Sequence, residues 1–295
     1  MANYRCTSYK LWQTKRKGHR AALNVAPPAA GFAEREQVME LVKETMRALA
    51  FLSRWPVSPQ WFEDYQGSLH DTVRGFPLAG VLIALPTAVV ILVGHTLDLP
   101  EFVTALLLVT VSIIVTGALH EDGLADVADG FYGGKTSARR LEIMKDSAIG
   151  SYGTLALILS VLLRVAFYMD ILSDLSPLAS VAVLVVTEAA SRAILVKFWQ
   201  MLPSARSGGV ADSAGTPTED AANFSLIIGG VILVIGYGAA GGPFAVIVPA
   251  CLAGLVFYGF AALCRDKIGG QTGDTLGAMQ QLATISLLLG LVIAV

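Results

Sequence analysis

Long apolar stretches alternate with short polar ones along this chain, at a spacing that suits a bilayer. A hydrocarbon core needs about 20 apolar residues per crossing helix. Stretches of that kind recur near 76–97, 101–119, 153–172, 177–201, 224–241, 243–263 and 276–294. The pattern predicts an all-α, polytopic integral membrane protein with about seven transmembrane helices. The fifth and sixth stretches are joined by "GAAGGP", which reads either as a hairpin or as one broken element. From Val38 to Leu52 the apolar positions 38, 41, 42, 49 and 52 suit an amphipathic helix lying on the membrane surface, so cytoplasmic amphipathic segments are expected beside the spans.

Composition agrees. The 295 residues are 54% hydrophobic and 15% charged, where soluble domains carry about a quarter charged residues. The net charge of −2 offers no bulk attraction to nucleic acid, and no such partner is expected. The cysteines, Cys6, Cys251 and Cys264, show neither disulfide nor zinc spacing and read as unpaired thiols.

The placement of charge sets an orientation. Linkers near 95–101, 170–177 and 237–243 contain no Lys or Arg. The opposite linkers hold Lys135, Arg139, Arg140 and Lys145, then Arg206, then Arg265 and Lys267. The positive-inside rule places the second set, with the N-terminus, in the cytoplasm. The expectation is a multi-pass protein of the cytoplasmic (inner) membrane, with the lipid bilayer as its partner. The first 33 residues contain six Lys/Arg and no acid. Residues 1–45 therefore read as a basic, disordered extension drawn to anionic lipid, or as residues preceding a start at Met39 or Met46, and 46–295 as the membrane-embedded domain. No apolar core follows the basic residues, so a cleaved secretory signal is not expected.

One stretch breaks the pattern. "LHEDGLADVADGF", Leu119 to Phe131, carries Glu121, Asp122, Asp126 and Asp129 with no Lys or Arg, directly after an apolar run. At about 100° per residue, Asp122, Asp126 and Asp129 share one helical face and Glu121 lies about a quarter turn away. The residues between are small: Gly123, Ala125, Ala128 and Gly130. Three carboxylates on one stripe repel one another unless a cation sits among them. Hard oxygen ligands suit Mg²⁺ or Mn²⁺, which also bind substrate phosphates. A solvated helix start accounts for one or two acids through the helix dipole, but not for a third two turns in. "HEDGL" lacks the second His of a zincin helix, and "GGKT" at 133–136 lacks the first Gly of a P-loop.

Other polar residues surround this stripe in sequence. "ARRLEIMKDSAIGSYG", 138–153, offers Arg139, Arg140, Lys145 and Asp146, whose cations suit a diphosphate opposite a metal. The same cations also satisfy ordinary positive-inside charge. Arg164 and Arg192 lie at mid-span, where a charge needs a polar cavity or a partner. Glu188 is placed to pair with Arg192 at i,i+4, whereas Arg164 has no such acid on its own helix and needs a cavity or a neighbouring helix. "IGGQTGDTLGAMQ", 268–280, is a Gly-rich turn containing Asp274, and "PSARSGGVADSAGTP", 203–217, is a loop suited to covering a substrate.

The run "TGALHEDGLADVADGF" resembles the signature of the cobalamin synthase family (adenosylcobinamide-GDP ribazoletransferase). Four further stretches match that family in order: "FLSRWPV" at 51–57, "FPLAG" at 76–80, "RRLEIMKDSAIGSYG" at 139–153 and "GGQTGDTLGA" at 269–278. The resemblance implies an integral membrane enzyme requiring Mg²⁺. Such an enzyme joins adenosylcobinamide-GDP to α-ribazole or its 5′-phosphate and releases GMP. It implies Asp122, Asp126 and Asp129 as metal-binding acids, with Glu121 beside them, and places Lys145, Asp146 and Asp274 in matching motifs without assigning their roles. On residue chemistry, Glu121, Lys145 and Asp146 are the catalytic candidates, and Arg139, Arg140, Arg164, Arg192 and Asp274 the substrate-binding candidates. The loop "ARSGGVA", 205–211, departs from the family's pattern by lacking an acid. A homo-oligomer or a complex with other corrinoid-assembly enzymes is compatible with the resemblance. Two rival readings remain at this point. A CDP-alcohol phosphotransferase shares the spaced acids but expects D-G-x2-A-R, and Asp126 stands where the Arg belongs. A divalent-cation or small-solute permease would use the same acids for transport, with broken helices near the midplane.

Overall fold

The computed structural model describes residues 30–63, 65–206 and 214–295, with 30–34 as backbone only. The expectations for residues 1–29, Cys6 among them, and for most of the 205–211 loop lie outside the described residues. The chain divides into two compact units, Met1–Met39 and Glu40–Val295, and the second holds every site residue named above.

Among the described residues the architecture is helical. In chain order the helices are α1 (Ala30–Leu52), α2 (Phe76–Thr96), α3 (Glu101–Thr116), α4 (Leu119–Gly133), α5 (Ser137–Ile143), α6 (Ser151–Asp174), α7 (Pro177–Met201), α8 (Glu219–Gly241), α9 (Phe244–Ile268) and α10 (Gly273–Ala294). No strand accompanies them. A lone bridge joins Ser204 to Gln271 and ties the chain after α7 to the turn before α10.

Among the described residues six helices are long and apolar enough to cross a membrane: α2 with its preceding turn, α6, α7, α8, α9 and α10. A seventh crossing is supplied only by α3 and α4 together, and these are bent by 91° where they meet. The apolar segmentation thus reproduces the expected spans, with one difference: the 101–119 stretch does not leave the bundle straight. The "GAAGGP" segment is a hairpin between two separate helices, turning at Gly242 with φ 70°.

Two helices form the centre. The apolar windows of α7 and α10 are 72% and 67% buried, against 22% for α8, so α7 and α10 are wrapped by protein and α8 faces outward. Close backbone approaches allow this packing, as expected where lipid supplies no hydrophobic drive between helices. A Cβ on Gly80 of α2 would overlap the Glu188 carbonyl of α7, and one on Gly290 of α10 would overlap Pro249 of α9. One apolar cluster, with Trp199, Phe198 and Phe260, fills the end of the bundle where the basic linkers lie. A second, with Tyr168, Tyr237 and Leu288, fills the other.

Candidate active site

The site begins at the break. Helix α3 ends at Gly117, which adopts φ 64°, a left-handed stop that glycine takes readily. Ala118 follows at φ 58°, a conformation that costs a residue with a Cβ about 1–2 kcal/mol. Surrounding contacts hold it there. The Arg54 N–H donates to the Val115 carbonyl at 2.8 Å, and the Arg54 side chain lies over Gly117 so closely that a Cβ would overlap it. The "FLSRWPV" segment therefore clamps the turn from which α4 departs.

The turn separates the four acids of α4 by environment. Glu121 is buried and accepts from Arg164 Nη1 at 2.9 Å. Asp122 is exposed and lines an apolar hollow of about 240 Å³ whose walls include Phe51, Leu119, Trp199 and Leu276. His120 lines the same hollow and is itself buried. Asp126 is half-buried, with Asp274, Asp122 and Asp129 as its like-charged neighbours and Arg206 as the opposing cation. Asp129 is engaged otherwise: its carboxylate accepts from the Gly150 N–H at 2.7 Å and the Gly153 N–H at 2.9 Å, capping the start of α6.

Asp274 joins the cluster from α10. It also lines the hollow, accepts from Thr272 Oγ1 at 3.2 Å, and lies 3.7 Å from Arg206 Nη1. Arg206 is held in turn by donating from Nη2 to the Leu141 carbonyl at 2.7 Å. The small residues of α4 make this meeting possible. A Cβ on Gly123 would lie 2.6 Å from the Asp274 carbonyl oxygen, and one on Gly277 would lie 3.2 Å from the His120 Cα. Gly123 therefore serves helix contact. Gly130 plays the same part against Met144 and Arg140.

The remaining residues picked from the sequence fall into two groups. Arg164 and Arg192 sit in a buried polar cluster beneath the hollow. Arg192 pairs with Glu188 on its own helix, and Arg164 with Glu121 on its neighbour. Arg139, Arg140, Lys145 and Asp146 sit on α5 and the turn after it. Arg139 pairs with Glu142 at 2.7 Å, and Arg140 donates to the Gly134 and Lys267 carbonyls, each at 3.0 Å. Lys145 is exposed, and Asp146 accepts from the Ala148 N–H at 3.1 Å. Among the described residues no hydrogen bond or ion pair joins these four to Asp122, Asp126 or Asp274. Sequence reasoning missed Arg206, His120, and the pair Gln280–Gln281, which bridges the buried cluster. The signal for the last was present: two adjacent amides in an apolar span require partners.

Among the described residues no three His, Cys, Asp or Glu side chains converge closely enough to hold a metal ion by themselves. Mg²⁺ does not require that, since it commonly takes one or two carboxylates and completes its shell with water and substrate phosphates. The donor set fits such an ion: Asp122, Asp126 and Asp274 are hard oxygen ligands opposed by one guanidinium.

A broken apolar helix that brings carboxylates to an apolar hollow, at the basic end of a helical bundle, defines a polytopic membrane protein with an acidic site at the boundary of its bundle. The particular protein family follows from comparison. The cobalamin-5-phosphate synthase family model matches residues 44–292, and the chain belongs to that family. Proteins named adenosylcobinamide-GDP ribazoletransferase from Brucella ovis, Brucella canis and Brucella suis are each 44% identical to it over 254 residues, covering 86% of this chain and 98% of theirs. No solved structure matches the chain. The phosphotransferase and permease readings find no support in these matches.

Proposed function

We propose that this chain is a Mg²⁺-dependent transferase that moves the adenosylcobinamide-phosphate group from adenosylcobinamide-GDP to α-ribazole or its 5′-phosphate, releasing GMP. The observation that carries this reading is the junction of Asp122, Asp126 and Asp274 with the apolar hollow. Carboxylates there suit an ion that binds a diphosphate, and apolar walls suit an aromatic base or a corrinoid edge.

In the reaction, a ribose hydroxyl oxygen forms a bond to the phosphorus next to the cobinamide arm. The bond from that phosphorus to the bridging oxygen breaks, its electron pair leaves with GMP, and the hydroxyl proton passes to a carboxylate. Glu121 is occupied by Arg164 and Asp129 by two backbone amides. The acids placed to take that proton are therefore Asp122 and Asp274, both on the wall of the hollow. Asp126, with either of them, would hold Mg²⁺, which supplies charge neutralisation at the diphosphate when bound. Arg206 adds positive charge on the same side. Arg164 and Arg192 act through position: they anchor the helices that present the acids.

The positive-inside pattern supports a cytoplasmic membrane location with this site facing the cytoplasm, where nucleotides are. The test is direct. Membranes carrying the protein, given Mg²⁺, adenosylcobinamide-GDP and α-ribazole, are expected to release GMP. Absence of GMP from correctly inserted protein would sink the assignment.

A further inference from the structure

A second apolar depression lies between α7, α8 and α9 and encloses about 400 Å³. It is separate from the acids. Its lining is apolar apart from the Tyr258 hydroxyl on α9 and Lys197, which enters it about one turn before α7 stops at Met201. Lys197 is half-buried, and its Nζ donates to Asn223 Oδ1 of α8 at 2.9 Å. Among the described residues no carboxylate pairs with it. An ammonium within a crossing helix is costly unless it reaches water or an anion, and a neutral amide does not offset its charge.

The glycines of this region are of two kinds. A Cβ on Gly229 would overlap Ala193, and one on Gly236 would overlap Val186, so these let α8 lie close against α7. Gly230 of α8 and Gly254 of α9 also line the depression, yet a Cβ on either would meet nothing within 4 Å. Glycine weakens a helix relative to alanine, and here no neighbouring helix uses the space it leaves. The flanking helices are the outward-facing ones, with apolar windows of α8 and α9 only 22% and 28% buried. Protein and membrane interiors are filled at high density, and a depression facing the bilayer takes up hydrocarbon.

We propose that this groove is a phospholipid site: one acyl chain lies over Gly230 and Gly254, and an anionic headgroup phosphate is held by Lys197 with Asn223. The charge selects the headgroup, since a zwitterionic lipid brings its own ammonium to Lys197. A cation with no acidic partner, at the mouth of a largely apolar slot, is complementary to a lipid that is anionic at one end and hydrocarbon at the other.

The test uses full-length protein in detergent, mixed with equal amounts of phosphatidylglycerol and phosphatidylcholine, with retained lipids counted by native mass spectrometry. The wild type is expected to retain one lipid per chain, with phosphatidylglycerol preferred by roughly fivefold, the effect of one lysine beside an anionic headgroup. Lys197→Met, which keeps the apolar stem, is expected to abolish the preference. Gly230→Leu with Gly254→Leu is expected to abolish retention of either lipid; a Cβ at either position enters open space, and a melting temperature close to wild type is the check that the fold tolerates the pair. Unchanged retention and preference in these variants would overturn the proposal. So would a wild-type dimer that the leucine variants convert to monomer, because that assigns the groove to a second copy of the chain.

Discussion

Arg164 on α6 donates from Nη1 to Glu121 Oε1 on α4 at 2.9 Å, and both side chains are buried. The contact joins a crossing helix to the first turn after the break, one residue before Asp122. Around it, Gln281 Nε2 donates to Glu121 Oε1 at 3.3 Å and Ser160 Oγ donates to Gln281 Oε1 at 3.2 Å. Removing one partner of such a pair strands a charge in low dielectric, at a cost of about 3–5 kcal/mol. Glu121→Gln and Arg164→Met are therefore each expected to lower the melting temperature in detergent sharply. The double variant should cost well below their sum. Additive losses in that cycle would show that the pair does not act as a unit.

Asp126 and Asp129 share a helical face but face different partners, and their variants should separate cleanly. Asp126→Asn is expected to abolish GMP release while leaving membrane insertion and melting temperature close to wild type. Asp129→Ala removes the acceptor of two backbone N–H groups at the start of α6, a loss of about 0.5–2 kcal/mol in stability. Asp129→Asn keeps one carbonyl oxygen for those donors and should recover part of it. Measuring turnover and melting temperature for all three variants checks the distinction. Normal turnover by Asp126→Asn would remove that residue from the metal site.

Much of this arrangement was legible in the chain because its signals are local. Runs of about 20 apolar residues mark crossings without tertiary information, and Glu188 and Arg192 announce their pairing by i,i+4 spacing alone. What escaped is non-local. The 91° bend depends on Arg54, some sixty residues upstream. Nothing at Gly117–Ala118 distinguishes a sharp break from an ordinary helix end, and alanine is a poor predictor of left-handed backbone. The engagement of Asp129 depends on the N–H groups of Gly150 and Gly153, which sequence shows only as two glycines. Asp274 was visible in its Gly-rich turn, but its place beside Asp126 is set by Gly123, whose missing side chain lets α10 approach.

That approach yields its own prediction. With a Cβ on residue 123 only 2.6 Å from the Asp274 carbonyl oxygen, Gly123→Ala must push α4 and α10 apart. Overpacking of this kind costs about 1–3 kcal/mol. Displacement of Asp274 from Asp126 should also raise the Mg²⁺ concentration needed for half-maximal turnover. Gly133→Ala is the control, since its Cβ would lie at an ordinary 3.6 Å from Ile143 Cδ1. A Gly123→Ala protein with wild-type Mg²⁺ dependence would show that the α4–α10 contact does not set the metal site.

Arg206 offers the sharpest electrostatic test, because its charge acts on two ligands with opposite sign. Its guanidinium lies 3.7 Å from Asp274 and opposes the charge of the whole acidic cluster. Arg206→Gln keeps a donor for the Leu141 carbonyl while removing the cation. A divalent ion entering the cluster then meets less repulsion, so less Mg²⁺ should be needed for half-maximal turnover. A diphosphate loses an attractive charge, so KM for adenosylcobinamide-GDP should rise. KM for α-ribazole, which is uncharged as the nucleoside, should stay close to wild type. The two charged ligands must shift in opposite directions, which a general loosening of the site would not produce. Steady-state kinetics at varied Mg²⁺ and varied corrinoid substrate decide the matter, and parallel weakening of both would place Arg206 in a structural role only.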